Sequence, residues 1–201
     1  MAGRRLEWAV VCAVVFAFVA TGAEAQRSIA LVAGPTFSKV ESEDFPDSET
    51  STGFFAGIGT SFALTDVLVF DPYVAYVQKG AEFGSEKVSY DYIEVPLLLG
   101  AVLPIGENAS AKISVGPQIA FQINCEEPES IEGGDCTEFE NHKSTEFGVV
   151  AAAGVGFGLS EGMTLAVGAG ADFGLTDIYE NLDYKTRTYM AYVAFVRELG
   201  R

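Results

Sequence analysis

Few residues in this chain are suited to polar chemistry. Its 201 residues include one histidine, three cysteines and one tryptophan. His142 lies near Glu140, Ser144 and Glu146, residue types that a nucleophilic hydrolase combines. A lone histidine in an acidic, solvated stretch lacks the fixed orientation such chemistry requires. We therefore read His142 as a surface residue and expect no catalytic residue and no enzyme; a surface hydrolase built on His142 is the minor alternative. Gly154-Val155-Gly156-Phe157-Gly158 suggests a phosphate-binding loop, but it lacks the GxGxxG spacing and a following helical pattern. Small residues alternating with apolar ones fit one face of a strand better. Cys125 and Cys136 share a Gly- and Glu-rich stretch. In an exported chain such a pair reads as a disulfide, and without nearby histidines it is a poor zinc site. No cofactor or metal site is expected.

Charge narrows the partners. The formal net charge is −16, the wrong sign for binding phosphate backbones, so nucleic acid is excluded as a partner. With 49% apolar and 20% charged residues, the chain is not of the disordered class. Arg4 and Arg5, an apolar stretch from Trp8 to Ala20 and the small-residue site Ala23-Glu24-Ala25 form the three parts of a secretory signal. The apolar stretch is shorter than the roughly 20 residues a helical span needs. We expect residues 1–25 to be a cleaved signal peptide, taking Cys12 with it, and residues 26–201 to be one mature domain.

The elements that must position the remaining polar residues alternate with period 2. From Ser110 to Asn124, Ala111, Ile113, Val115, Pro117, Ile119, Phe121 and Ile123 fall on one face. Lys112, Ser114, Gly116, Gln118, Ala120 and Gln122 fall on the other, a separation that a strand makes and a helix does not. Eight such segments are predicted: 28–38, 53–64, 67–83, 89–103, 110–124, 145–159, 163–176 and 186–197, the last ambiguous in parity. Short links alternate with long ones, as in an up-and-down barrel with tight periplasmic turns and long external loops. The expected fold is all-β: an eight-stranded antiparallel up-and-down transmembrane β-barrel.

A soluble lipocalin-like barrel, secreted and binding a ligand, would share the strand count but turn its apolar face inward. Here the apolar faces carry aromatic residues near their ends: Phe37, Phe54, Tyr76, Phe121, Phe147 and Phe173 at one rim, Phe62, Phe70 and Phe157 at the other. Two aromatic girdles around an aliphatic band suit a lipid-facing wall. The opposite face holds Asp71, Lys79, Glu94, Lys112, Gln118, Glu146 and Asp172, an inner polar network to which we add Arg187. Glu94 facing Lys79 or Lys112, and Asp172 facing Arg187, would pair charges that are costly to bury alone. Pro35, Pro72, Pro96 and Pro117 fall inside strands and each removes a ladder donor, although a closed barrel has no edge to hide it.

Tyr92-Ile93-Glu94-Val95-Pro96-Leu97-Leu98-Leu99 resembles the Tyr-x-Glu-hydrophobic-Pro-leucine-rich strand of the PorT-like outer-membrane β-barrel family, whose motif residues here are Tyr92, Glu94 and Pro96. Tyr76-Val77-Gln78-Lys79-Gly80-Ala81 and Gly174-Leu175-Thr176-Asp177-Ile178 resemble further segments of that family, in the same order. The resemblance covers residues 26–197. It implies an eight-stranded barrel in the outer membrane of a Gram-negative bacterium, in a family most of whose members have no assigned activity. Such barrels usually end on an aromatic residue that the insertion machinery reads. This chain ends Arg197-Glu198-Leu199-Gly200-Arg201, so Phe195 is expected to serve instead.

Eight strands leave an interior that side chains can fill. The expected role is therefore structural or adhesive, through acidic external loops; a small porin-like pore or ion conduit is the alternative. The loop stretches 39–52, 126–144 and 177–185 are rich in carboxylates and poor in lysine. They fit loose divalent-cation bridging to outer-membrane lipopolysaccharide, and they lack the spacing of a dedicated calcium loop. A monomer is expected.

Overall fold

The computed structural model describes residues 27–41, 48–83, 86–126, 143–177 and 185–199. Residues 1–25, Cys136 and His142 lie outside the described residues. Eight strands follow in chain order: β1 (Arg27–Glu41), β2 (Ser51–Ala63), β3 (Leu68–Phe83), β4 (Glu86–Pro104), β5 (Ala109–Glu126), β6 (Thr145–Ser160), β7 (Met163–Gly174) and β8 (Lys185–Leu199). Each pairs antiparallel with the next, and β8 returns to β1, from Arg27↔Leu199 to Glu41↔Lys185, closing the barrel. Every expected strand is present. β1, β2, β4 and β5 run two or three residues further toward the long-loop end, and β7 stops two residues short of it.

Alternation decides which face meets lipid. On β5, Ile113 is 62% exposed and Val115 53%, whereas Gln118 is 3% exposed. The same split runs around the wall: Leu31, Phe54, Ile58, Leu99, Phe147 and Val193 are exposed, while Thr36, Lys79, Glu94, Glu146, Asp172 and Thr188 are buried. This is an inside-out pattern, apolar outward and polar inward, which a water-soluble barrel reverses. Closure also leaves no unpaired sheet edge in the hydrocarbon. Aromatic contacts lie at both ends of the outer wall. Phe54 and Tyr76 meet with ring centroids 5.3 Å apart toward the long loops, and Phe62 and Phe70 stack at 6.5 Å near the β2–β3 turn.

The strand prolines have a common solution. Each sits at a gap in one ladder, and the register is unchanged across the gap. Pro35 falls where β1–β8 pairing stops at Ala33↔Val193 and resumes at Thr36↔Met190. Pro72 falls between Gly59↔Tyr73 and Phe62↔Phe70, Pro96 between Pro72↔Leu97 and Ala75↔Glu94, and Pro117 between Pro96↔Gln118 and Leu99↔Val115. Each proline keeps its pairing on the other side: Pro35↔Phe54, Pro72↔Leu97, Pro96↔Gln118 and Pro117↔Val149. A missing N–H thus interrupts one ladder locally, and the other side holds the strand in place. At two of the gaps a glycine precedes the proline. A Cβ on Gly34 would overlap the Ala191 carbonyl oxygen, and one on Gly116 would overlap that of Leu97. Only a bare Cα lets the neighbouring strand come that close.

The short links are tightly made. Thr65 caps the β2–β3 turn, its Oγ1 accepting from the Leu68 amide at 2.9 Å and the Val67 amide at 3.2 Å. The β6–β7 turn depends on Gly162 at φ 68°, a left-handed conformation that glycine adopts without strain.

Candidate functional site

The polar residues inside the barrel separate into two levels. The upper level, toward the long loops, is a ring centred on Lys79 of β3. Its Nζ lies 2.8 Å from Glu94 of β4, 2.8 Å from Glu146 of β6 and 2.6 Å from Asp172 of β7. Lys79 donates a hydrogen bond to Glu146 Oε1, and Glu94 and Asp172 complete the ring as close ion pairs. For Glu146 and Asp172 the second carboxylate oxygen also has a donor. Thr186 of β8 donates to Glu146 Oε2 at 2.9 Å, and Gln118 of β5 donates through Nε2 to Asp172 Oδ1. Ser38 of β1 and Thr188 share a hydrogen bond of 3.0 Å beside them. The ring therefore takes side chains from β3 through β8, in a level set by the sheet register.

Two glycines make room for it. A Cβ at Gly148 would come within 3.0 Å of Gln118 Nε2, and one at Gly174 within 2.7 Å of Thr186 Oγ1. The Tyr92 ring lies 5.1 Å from Lys79 Nζ and adds a cation–π contact. A water-wide path through this level would wet the ring, yet the side chains of Lys79 and Asp172 are 0% exposed and those of Glu94 and Glu146 3% and 2%. The ring is a plug.

The lower level, toward the short turns, is open. A cavity of about 740 Å³ is lined by residues of all eight strands and reaches Leu64, Thr65 and Asp66 in the β2–β3 turn. Lys112 of β5 pairs there with Asp71 of β3 at 2.7 Å. Phe55, Leu98, Val150 and Met190 also line it, the last three within a few residues of the plug along their strands.

The structure brings together Lys79, Glu94, Gln118, Glu146 and Asp172 in one cluster and Asp71 with Lys112 in a second. Arg187 joins neither, contrary to the expected Asp172 pairing. In β8 the inward residues are Thr186, Thr188, Met190 and Tyr192, so Arg187 points outward. Its Nε donates to Glu41 Oε2 at 2.9 Å, one Nη donates to the Gly174 carbonyl at 2.9 Å, and the guanidinium lies 5.4 Å from the Phe173 ring. Tyr92, Glu94 and Pro96 share the inward face of β4, with Tyr92 and Glu94 buried. Cys125 is buried beside its register partner Tyr90. Sequence reasoning passed over Thr186, Thr188 and Ser38. Their only signal is inward parity, which β8 leaves undecided until its register is known.

A comparison with curated protein sequences found no match. Among solved structures the barrel is similar to the outer membrane protein OprG from Pseudomonas aeruginosa, at TM-score 0.56 and 11% identity over 90% of this chain and 99% of that one. It is similar also to Neisserial surface protein A, at TM-score 0.54 and 13% identity over 83% and 95% of the two chains. The N-terminal β-barrel domain of Pseudomonas aeruginosa OprF gives TM-score 0.50 and 13% identity over 88% and 100%. At such identities the likeness concerns the fold. The sequence itself matches the outer membrane protein beta-barrel domain family over residues 21–180. With its lipid-facing apolar wall, closed sheet and buried polar interior, this is a small barrel of the bacterial outer membrane, and the chain belongs to the outer membrane protein beta-barrel domain family.

Proposed function

We propose that the barrel acts as a non-enzymatic structural or surface-interaction protein, presenting acidic external loops and conducting no solute. The observation that carries this reading is the Lys79 plug, whose four charged side chains are at most 3% exposed. A small conduit is the competing reading. Planar-bilayer recording of the refolded protein separates the two: the plug predicts no unit conductance above the lipid baseline, and reproducible single channels would reject it.

The loop chemistry suggests lipopolysaccharide as the neighbour, bridged by divalent cations. On the outer wall near the long loops, Asp91 accepts from Gln78 and Asn124 at 3.3 Å each, and Asn124 also reaches Glu126 at 3.4 Å. These carboxylates stand with the acidic loops at the level where lipid headgroups begin. The Tyr92, Glu94 and Pro96 motif supports placement in the PorT-like branch of the family. We further propose export through the 1–25 signal, handling by the insertion machinery through outward Phe195, a Cys125–Cys136 disulfide on the external side and a monomeric state. The last is supported by a closed sheet with no free edge.

A further inference from the structure

We propose that the lower lumen is a binding site, open to the periplasm, for a small amphiphilic organic cation whose ammonium group sits on Asp71. Eight-stranded interiors are ordinarily just wide enough to be filled by side chains. Here about 740 Å³ is left unfilled, within the size range of small-molecule sites.

Two tyrosines that line the space pack against glycines. A Cβ on Gly154 or Gly168 would overlap the Tyr192 hydroxyl, and one on Gly59 would overlap the Tyr73 Cβ. Bare backbone at Gly154 and Gly168 lets the Tyr192 ring lie along the wall, and at Gly59 it admits the Tyr73 side chain beside its register partner. Much of the remaining lining is apolar, from Val32, Phe55, Val69, Leu98, Val150 and Val196.

Asp71 supplies the polar anchor. It is 8% exposed, and one carboxylate oxygen is engaged by Lys112 at 2.7 Å. Its Oδ1 is buried with no hydrogen-bond partner. A buried carboxylate oxygen without a donor is costly, and a ligand N–H would relieve it. The charge of the lining agrees, because the carboxylates of Asp66, Asp71 and Glu198 outnumber Arg27 and Lys112. Tyr73 and Tyr192, which line the same cavity, add aromatic surface that favours a cation over a neutral head. The plug closes the upper end, so entry is from the short-turn side, which in these barrels faces the periplasm.

The test uses the mature barrel in lipid nanodiscs, with hexylammonium and hexanoate as matched probes. Backbone amide shifts of Ser114, Ala152 and Tyr192 report occupancy, apart from probe dissolved in lipid. The expected result is saturable shifts with hexylammonium and none with hexanoate. Asp71→Asn should weaken the apparent affinity by about tenfold, the value of one charge-assisted contact. Ala152→Phe, which fills the cavity and keeps the Asp71–Lys112 pair, should abolish the shifts. Heat-dependent gel mobility confirms that each variant is folded, and Ala152→Phe carries the test if Asp71→Asn is not. Equal response to both probes, unsaturable shifts, or full binding by the folded variants would overturn the proposal.

Discussion

Lys79 is the side chain on which the interior depends most. Its three short contacts to Glu94, Glu146 and Asp172 place four ionisable groups out of water. Desolvating them costs several kcal/mol each, and mutual attraction offsets that cost only while every partner is present. Lys79→Met would leave three buried carboxylates without a counter-ion. We expect it to destabilise the barrel by about 3–5 kcal/mol in urea-dependent refolding into vesicles. A loss below about 1 kcal/mol, the scale of an exposed pair, would show that the plug is wetter than its burial implies. Much of this cluster was legible beforehand, because period-2 alternation puts Lys79, Glu94, Gln118, Glu146 and Asp172 on one face of their strands. What alternation cannot supply is the level of each residue along the barrel axis. That depends on register across neighbouring strands, which is why Glu94 had two candidate partners and only the fold distinguishes Lys79 from Lys112.

Strand limits and pairing order could be read from the chain with little error, since turn residues and alternation agree in most segments. The exception is β8. Thr186, Arg187 and Thr188 mix a small polar residue with a cation, and both parities leave something polar on each face. Pairing with β7 resolves it, through Asp172↔Thr188 and Phe173↔Arg187, and sends Arg187 outward. The prolines were legible as a problem without their answer, because a ladder gap is a property of two strands. Gly116 offers a direct check on that answer. Its Cα packs against the Leu97 carbonyl, where a methyl cannot fit without moving backbone. Gly116→Ala should cost about 1–3 kcal/mol in the same refolding assay. Gly106→Ala, whose new Cβ would meet only Ala109 Cβ at 3.8 Å, should be nearly neutral and serves as the control.

At the scale of the whole molecule, length and charge act together. β4 has 19 residues and β5 has 18, well beyond the roughly 9–11 that cross a bilayer, so their upper ends stand clear of the hydrocarbon. Those ends carry Asp91, Asn124 and Glu126 in a chain of net charge −16. Carboxylates facing anionic lipid repel unless cations intervene. In vesicles containing lipopolysaccharide, magnesium should therefore raise the temperature of the heat-dependent mobility shift and EDTA should lower it. In phosphatidylcholine vesicles neither should matter; an equal effect there would rule out bridging to lipopolysaccharide.

The four proline gaps have a mechanical corollary. Tyr192, Asp71, Tyr73 and Leu98 stand within them, and all four also border the hollow half of the barrel. The cylinder thus combines a stiff, cross-tied collar above with a compliant hoop below, whose staves are less firmly laced just where nothing props them from within. Deuterium uptake should map that hoop, with amides of Asp71, Tyr73, Leu98 and Tyr192 exchanging faster than those of Lys79, Glu94 and Asp172. Uniform protection along the staves would mean that the wall derives its rigidity from the surrounding bilayer.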